Sequence, residues 1–348
     1  MNCIMRLALR HIAGLFLLAA AFTGCSLVDE DMRDCETNYN LDYELRLVTN
    51  MTTELQTQLS LAADITVSNA IRTYLSDVFT DFAHDVDLGF YDVVGDSTLL
   101  HHESHIMDAN QSSYTLYIPV RQYMHLALAN LEANDQIRKD GSESCHDARI
   151  VQEVADTIAP HKSGIFSARL PMDIKEGEDQ QFDVRLYMAN CATALVIDTL
   201  GSHIRDLKVY LKGFATEFDL CDSLYHFSYT PVIKADELPL SEPGRMCFAS
   251  VNFPSREPEE SKVIIDTDDP HAGVSTSRSL WQYCIYATLK DNSVTETVLG
   301  LFSSLPAGSL KVLKATAREN GQVAPGDPTV AVSVTMDWNP GLEIPIEF

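Results

Sequence analysis

Short runs in which apolar and polar residues alternate recur along most of the 348-residue chain, and turns rich in Pro and Gly separate many of them. The first run is 41–48, and the next four are 87–94, 98–107, 114–118 and 123–131. Alternation with a period of two is typical of a strand with one buried face. Many short strands at near-regular spacing favour a β-sandwich, so the sequence predicts an all-β fold.

The second half of the chain continues this pattern. The strands that we predict there are 207–214, 224–230, 246–253, 262–266, 280–290, 295–302, 310–317, 329–336 and 342–346. The longest β-like run, 182–199, exceeds a typical strand of 5 or 6 residues, and we interpret it as two strands in series that meet near Ala189. About 324 residues follow the first 24, which is room for two domains. We place them at 36–188 and 189–348.

Two stretches of the first domain depart from the strand pattern. Within 68–82, apolar residues such as Ile71, Leu75 and Val78 recur at spacings of three and four, which predicts a short helix that covers a sheet edge. Residues 134–161 are polar and irregular. We therefore predict a long exposed loop there.

The N-terminus has the layout of a bacterial lipoprotein signal. Arg6 and Arg10 provide the positive region, and the apolar run 12–22 is too short to span a membrane. The residues Phe-Thr-Gly then stand directly before Cys25, which is the pattern of a lipobox whose cysteine is lipidated and becomes the first residue of the mature chain. We predict that 1–24 is a lipoprotein signal peptide.

An acidic run that contains Asp29, Glu30 and Asp31 follows the cysteine, and we predict a flexible tether over 25–35. More than one acyl chain on Cys25 would anchor the protein stably, because each buried methylene contributes about 0.8 kcal/mol. No later run reaches about 18 apolar residues. The lipid bilayer is therefore a predicted partner to which the chain is attached without crossing it.

The charge of the chain excludes two other kinds of partner. It has 25 Lys and Arg against 50 Asp and Glu, for a net charge of -25. Nucleic acid binding requires clustered basic residues, and peripheral binding to anionic lipid requires them as well. We therefore expect no nucleic acid partner, and we expect membrane attachment to depend on Cys25.

A histidine-rich segment is the strongest candidate for metal or catalytic chemistry. A metalloprotease needs His-Glu-x-x-His on a helix, whereas here the second histidine of His102-Glu103-Ser104-His105 comes one residue early. On a strand, His101, Glu103 and His105 would share one face, so adventitious metal binding is an alternative. We interpret the segment as an exposed polar edge.

Other chemistry-bearing patterns are absent from the sequence. The acidic run 266–273 has its glycine at the wrong position for a calcium loop, and no glutamate closes it. No nucleophile elbow, phosphate-binding loop or dinucleotide fingerprint occurs. The sequence predicts no enzyme, no cofactor and no metal site.

The cysteines admit several disulfide patterns. Apart from Cys3 and Cys25, the chain has six: Cys35, Cys145, Cys191, Cys221, Cys247 and Cys284. An exported protein can keep disulfides, so up to three bridges are predicted. Six cysteines allow fifteen connectivities, and the sequence does not choose among them.

The chain resembles the FimB-type fimbrial anchor subunits of Bacteroidales, which are lipoproteins of type V pili. The segments that carry the resemblance are Cys25 with Asp29-Glu30-Asp31 and Asp34-Cys35, Gly89-Phe90-Tyr91-Asp92 within 86–94, 114–119, 123–130, Ile165-Phe166, Val184-Arg185-Leu186, Val332-Ser333-Val334-Thr335 and Asp337-Trp338. The polar insertion at 134–161 and the five cysteines beyond Cys35 depart from the family pattern.

The resemblance implies two transthyretin-like β-sandwiches in tandem. It implies a protein that anchors a fimbria at the outer membrane, or caps it and regulates its length, through β-strand exchange with a stalk or accessory pilin. The acidic run Asp29, Glu30 and Asp31 would then be a surface-export signal that places the lipid-anchored protein on the outer face of the cell.

A glycan-binding surface lipoprotein is the alternative function. Proteins of that class stack sugars on exposed aromatic side chains, and Trp281 and Trp338 are the two tryptophans available. Both lie in strand-like contexts, which favours a position in the core.

Overall fold

The computed structural model describes residues 38–48, 57–58, 65–76, 78, 83–94, 96–107, 113–176, 180–198, 203–258 and 279–337. Strands dominate these residues, so the predicted all-β fold is confirmed as a sandwich built from several sheets. One α-helix, α1 (Ile65–Leu75), and one 3₁₀ helix, Cys145–Asp147, accompany the strands. No helix in the described ranges is long and apolar enough to cross a membrane.

The first half of the chain supplies nine strands. They are β1 (Asn38–Val48), β2 (Asp85–Asp92), β3 (Leu99–Ile106), β4 (Ser113–Pro119), β5 (Gln122–Ala129), β6 (Ile137–Asp140), β7 (Arg149–Gln152), β8 (Phe166–Asp173) and β9 (Gln181–Met188). Seven of these strands form one sheet in the order β3-β2-β5-β8-β9-β1-β4. The other two, β6 and β7, belong to a separate small sheet.

The seven-stranded sheet folds into two facing layers where β8 meets β9. These strands pair at only two positions, Phe166 with Met188 and Ser167 with Tyr187. In a flat sheet, β1 and β5 would be about 14 Å apart, because neighbouring strands are spaced by about 4.8 Å. Yet Tyr43 of β1 contacts His125 of β5 directly, at 2.5 Å between Oη and Nε2. The layers are therefore β3-β2-β5-β8 and β9-β1-β4, with a shared core between them.

The segment 134–161, predicted as a long exposed loop, is instead part of a four-stranded sheet. Its order is β13-β12-β7-β6, so two strands come from this segment and two, β12 (Glu217–Asp219) and β13 (Leu224–His226), come from the second half of the chain. The loop prediction is wrong because the strands have only three or four residues each. Strands this short show too few alternations to be recognised in sequence.

The second half forms a sandwich of two five-stranded sheets. Its remaining strands are β10 (Cys191–Asp198), β11 (Ile204–Lys212), β14 (Ile233–Lys234), β15 (Asp236–Leu238), β16 (Arg245–Asn252), β17 (Trp281–Leu289), β18 (Val294–Leu301), β19 (Leu310–Ala317), β20 (Val323–Pro325) and β21 (Ala331–Asp337). One sheet has the order β15-β16-β10-β19-β20, and the other has the order β14-β11-β17-β18-β21. Apolar side chains of both sheets form a second core.

The long run at 182–199 is two strands in series, as predicted, with β9 ending at Met188 and β10 beginning at Cys191. β10 is almost completely buried, because Leu195 and Ile197 face the second core while Ala194 and Val196 face the first. A strand covered on both faces reads as a continuous apolar run rather than an alternating one. The assignment of two domains at 36–188 and 189–348 stays a prediction.

Helix α1 lies between the two halves, at the sheet edge formed by β15. Its buried residues Val67, Ile71 and Leu75 belong to the first core, and it also contacts β15 and β16. Tyr74 donates a hydrogen bond to Asp236 at 2.9 Å. The helix prediction is confirmed, but its role is to join the first sandwich to a sheet of the second.

Candidate functional site

The N-terminal residues with predicted roles lie outside the described part of the chain. They are Cys25, predicted to carry the lipid, and Asp29, Glu30 and Asp31, predicted to direct surface export. Their roles stay predictions. Among the described residues, the features that bear on fimbrial assembly are the first strand, the last strand and the surfaces near them.

Strand β1 is deeply embedded in the first sandwich. It pairs with β4 on one side and with β9 on the other, the latter in parallel. Its side chains Leu41, Tyr43 and Leu45 are at most 5% exposed. Removing β1 would therefore open the first core and break two ladders of backbone hydrogen bonds.

Tyr43 fixes β1 to the facing layer through His125, which is completely buried. His125 donates from Nδ1 to the carbonyl of Gly89 at 2.9 Å, so Nε2 accepts from the Tyr43 hydroxyl. The imidazole also stacks on Phe90, with ring centroids 4.3 Å apart. Burial lowers the pKa of His125 to about 4, although the Gly89 hydrogen bond opposes the shift. The histidine is thus neutral at pH 7 and acts as a structural hydrogen-bonding link.

Strand β21 contrasts with β1 in every one of these respects. It pairs only with β18 and lies at the end of its sheet. Residues 332–335 are all exposed, on both faces of the strand. Val332 is 44% exposed and Val334 is 36% exposed. β21 is therefore an apolar edge strand with little buried surface.

The two valines point toward the sandwich interior, but no described strand of the facing sheet packs over them. They pair with Leu299 and Thr297 of β18, which are both fully buried, and paired residues project to the same face of a sheet. The facing sheet ends at β20, which already lies over β18, because the Val323 N–H donates to Thr297 Oγ1 at 3.1 Å. In the described ranges no strand covers β21 from that side.

The histidine segment occupies β3, at the opposite end of the first sheet from β4. As predicted, three of its residues share a face: His101 Nε2 lies 2.7 Å from Glu103 Oε1, and His105 Nε2 lies 2.8 Å from Glu103 Oε2. The side chains are partly or largely exposed. Within the described residues, no group of three or more potential ligands is arranged to hold a metal ion.

The five cysteines that the structure describes are free thiols, so none of the predicted disulfides is formed among them. Cys145 donates a hydrogen bond to Cys221 with 2.8 Å between the sulfur atoms, which is longer than the roughly 2.05 Å of a disulfide. Burial raises the pKa of Cys145 to about 12, with the Cys221 hydrogen bond as a further cause. Burial likewise raises the pKa of Cys247 to about 12. Cys35 lies outside the described residues.

Trp281 is a core residue, as the sequence favoured. It is 1% exposed, packs against Phe214 and Tyr283, and donates from Nε1 to the Ser303 carbonyl at 3.0 Å. It therefore offers no platform for a sugar. Trp338 lies outside the described part of the chain.

Solved structures of other proteins share this fold. Two proteins from Bacteroides ovatus, both proposed to be adhesins, are 12% identical to this chain. One alignment covers 81% of this chain and 91% of the other protein, with a TM-score of 0.51. The second covers 92% and 99%, with a TM-score of 0.50. No protein-family model matches the sequence, and no curated protein matches it.

Matches at lower TM-scores include the fimbrial anchor protein Mfa2 from Porphyromonas gingivalis. It is 8% identical, the alignment covers 86% of this chain and 99% of that protein, and the TM-score of 0.46 is too low to support a functional argument. The expected resemblance is confirmed at the level of the fold, which this chain shares with the two Bacteroides ovatus proteins. Function has to be argued from the residues.

Proposed function

We propose that this chain is a lipid-anchored, non-enzymatic protein of the outer membrane surface that holds a fimbria, or caps it and limits its length. Its partner is a stalk or accessory pilin, and the connection is β-strand exchange. The observation that carries the proposal is the state of β21, an apolar edge strand with both faces exposed. Its fold is the one found in Bacteroides proteins that are themselves proposed to be adhesins.

A comparison of β1 with β21 indicates which strand this protein exchanges. Detaching β1 would expose Leu41, Tyr43 and Leu45 to water, and each fully buried apolar side chain contributes roughly 1.5–3 kcal/mol. Detaching β21 breaks a single ladder, and its own valines are already partly exposed. β21 is therefore the strand that this protein donates.

The chemistry of β21 suits insertion into a groove of another subunit. In β-augmentation, backbone hydrogen bonds provide affinity and alternate side chains fill pockets. Val332 and Val334 are alternate residues on one face, and they are partly exposed. Their burial in a partner's core would contribute favourably, since the free energy is roughly 25 cal/mol per Å² of apolar surface removed from water. The lipid at Cys25 holds the other end of the chain.

The first prediction concerns membrane attachment. Replacing Cys25 by Ala removes the acceptor for the acyl chains, so we expect the protein to leave the outer membrane fraction and fimbriae to appear in the culture medium. The measurements are membrane fractionation with immunoblotting and electron microscopy of cells and medium. Cys35→Ala is the matched control, because it should leave the lipid attached. A Cys25→Ala protein that remains in the membrane would contradict the proposal.

The second prediction concerns the donated strand. We expect Val332→Asp with Val334→Asp to abolish co-purification with fimbriae, because two carboxylates would enter the apolar groove of the partner. Both valines are partly exposed, and circular dichroism should show that the variant keeps the parent fold. The control is Ser333→Asp with Thr335→Asp, which places the same charges on the other face of β21.

A reversible crosslink distinguishes donation from simple addition to the edge. Glu296 and Thr335 are directly paired, so Glu296→Cys with Thr335→Cys would hold β21 on β18 by a disulfide. If β21 is donated, the oxidised variant should fail to join fimbriae and should recover after reduction. Normal joining by the oxidised variant would show that β21 stays in place, and would overturn donation.

A further inference from the structure

A cleft lies where the first sandwich meets the small four-stranded sheet. None of its lining residues belongs to β21. Its volume is about 410 Å³. β8 and β9 line one side, and β12, β13 and the turn that joins them line the other. A cleft of this size is within the usual 300–1,000 Å³ range of small-molecule sites.

Two arginines, Arg169 of β8 and Arg185 of β9, line this cleft. β8 and β9 pair at Phe166 with Met188 and at Ser167 with Tyr187, and then they separate. Arg169 and Arg185 each lie two residues beyond the Ser167–Tyr187 pair, where β8 and β9 no longer pair. Both residues are exposed and both line the cleft.

This arrangement is unusual in a chain with 50 acidic and 25 basic residues. Five other described arginines form ion pairs with carboxylates, namely Arg46, Arg121, Arg138, Arg149 and Arg245. Three more contact neutral groups, namely Arg205, Arg256 and Arg318. The side chains of Arg169 and Arg185 make no ion pair and no hydrogen bond to a described residue, although the charge of Arg169 acts to lower the pKa of Cys145. Both guanidinium groups are therefore available to an external anion.

Aromatic rings and hydroxyls complete the cleft. Tyr187 is 59% exposed, so its ring can cover the face of a ligand. Tyr225 stacks on Phe218 with ring centroids 4.6 Å apart and donates its hydroxyl to the Ala189 carbonyl at 2.7 Å, which holds it in place. Ser167 lies on the same wall as the arginines. The cleft thus combines two guanidinium groups with the apolar faces of aromatic rings.

We propose that this cleft binds an acidic sugar, with the carboxylate held between Arg169 and Arg185. Guanidinium groups bind carboxylates through two parallel N–H···O bonds, and a pair of them discriminates strongly against a neutral ligand. The ring of the sugar packs against Tyr187, while its hydroxyls reach Ser167. The volume fits one or two sugar rings. This site is independent of β21, so the protein would hold a fimbria at one end and contact acidic glycans through another surface.

The test uses the mature full-length protein and isothermal titration calorimetry. The probes are trigalacturonic acid and sialyllactose, each compared with its neutral counterpart, which are the carboxyl-reduced trisaccharide and lactose. We expect at least one acidic probe to bind at least tenfold more tightly than its neutral partner. Binding should weaken as salt is raised, because the arginines are exposed.

Three variants assign the binding to the cleft. Arg169→Gln and Arg185→Gln should each weaken binding of the acidic probe by tenfold or more, and neither should change the melting temperature. Arg318→Gln is the control. Arg318 is exposed, lies in the turn that follows β19, and does not line the cleft. Failure of both acidic probes to bind, equal binding of the neutral sugars, or equal weakening by Arg318→Gln would each overturn the proposal. Equally tight binding of a hexaglutamate peptide would overturn it too, by showing that the cleft selects charge alone.

Discussion

Acidification from pH 7 to pH 4 is expected to lower the free energy of unfolding by about 3 kcal/mol through His125 alone. The pKa of His125 falls from 6.5 to about 4 because the residue is buried among apolar groups. A proton would take the lone pair that accepts the Tyr43 hydroxyl. The folded protein therefore resists protonation, whereas the unfolded chain accepts a proton at about pH 6.5.

The direction of the effect follows from this difference in pKa. Above pH 6.5 the histidine is neutral in both states, and its contribution to stability is complete. As the pH falls from 6.5 toward 4, only the unfolded state gains the proton, so stability is lost over that window. His161 acts in the same direction, since burial lowers its pKa to about 3. It contacts Phe253 edge-on, with ring centroids 4.9 Å apart, and lies 3.5 Å from the amide nitrogen of Asn190.

The measurement is urea denaturation at pH 7, 5.5 and 4. In His125→Gln, stability at pH 7 should be lower, but the loss between pH 7 and pH 4 should be smaller than in the parent protein by about 3 kcal/mol. His226→Gln is the control, because His226 is exposed. Carboxylates that titrate near pH 4 contribute equally to all three proteins. An unchanged pH dependence in His125→Gln would contradict the prediction.

Replacing Trp281 by Ala is expected to cost about 3–5 kcal/mol of stability. The side chain is 1% exposed and fills the second core between Phe214 and Tyr283. Its removal leaves a cavity and also frees the Ser303 carbonyl, which now accepts from the indole nitrogen. The melting temperature, followed by circular dichroism, should fall substantially.

Trp281→Phe separates the two contributions. It retains most of the apolar volume and loses the hydrogen bond, so it should cost less than the alanine variant, with about 1 kcal/mol from the bond itself. The same variants address the alternative in which Trp281 stacks a sugar. A Trp281→Ala protein with unchanged stability and lost glycan binding would contradict the core position.

The sequence revealed much of the sandwich architecture because many strands carry a clear local pattern. The run 310–317 predicts β19 at the bounds observed, and the unbroken apolar run after Ala189 becomes β10 because cores lie on both sides of it. The helix was recognisable from the spacing of Ile71 and Leu75, although the structure begins it earlier, at Ile65.

Other parts of the fold depend on contacts that no local pattern shows. β7 and β12 pair through Ile150 and Phe218, which are 68 residues apart (218 − 150). Each strand is stable only as part of the sheet that both halves build, since isolated pairs of short strands are marginal. β6, β7 and β12 therefore lie in stretches for which the sequence predicts no strand, whereas β13 falls within the predicted strand 224–230.

The candidate sites divide in the same way. The lipidation of Cys25 is predicted from adjacent residues and stays a prediction. The exposure of Val332 and Val334 could not be anticipated, because their alternation matches that of a buried strand and only the extent of the facing sheet leaves them open. The cleft that Arg169 and Arg185 line forms only where β8 and β9 meet β12 and β13, which no local sequence pattern shows.

The parallel pairing of β1 with β9 has a mechanical consequence. Suppose that the membrane holds the chain ahead of Asn38 and that a fimbria pulls on the segment beyond Met188. The force then acts on the N-terminal end of β1 and on the C-terminal end of β9. In a parallel pair these two ends lie at opposite ends of the ladder. The force therefore loads all hydrogen bonds from Asp42–Gln181 to Val48–Tyr187 together, in shear, instead of breaking them one after another. β10 and β19 repeat the geometry in the second half. Under flow, detachment then depends on the rate of forced unfolding, and we expect both halves to resist it.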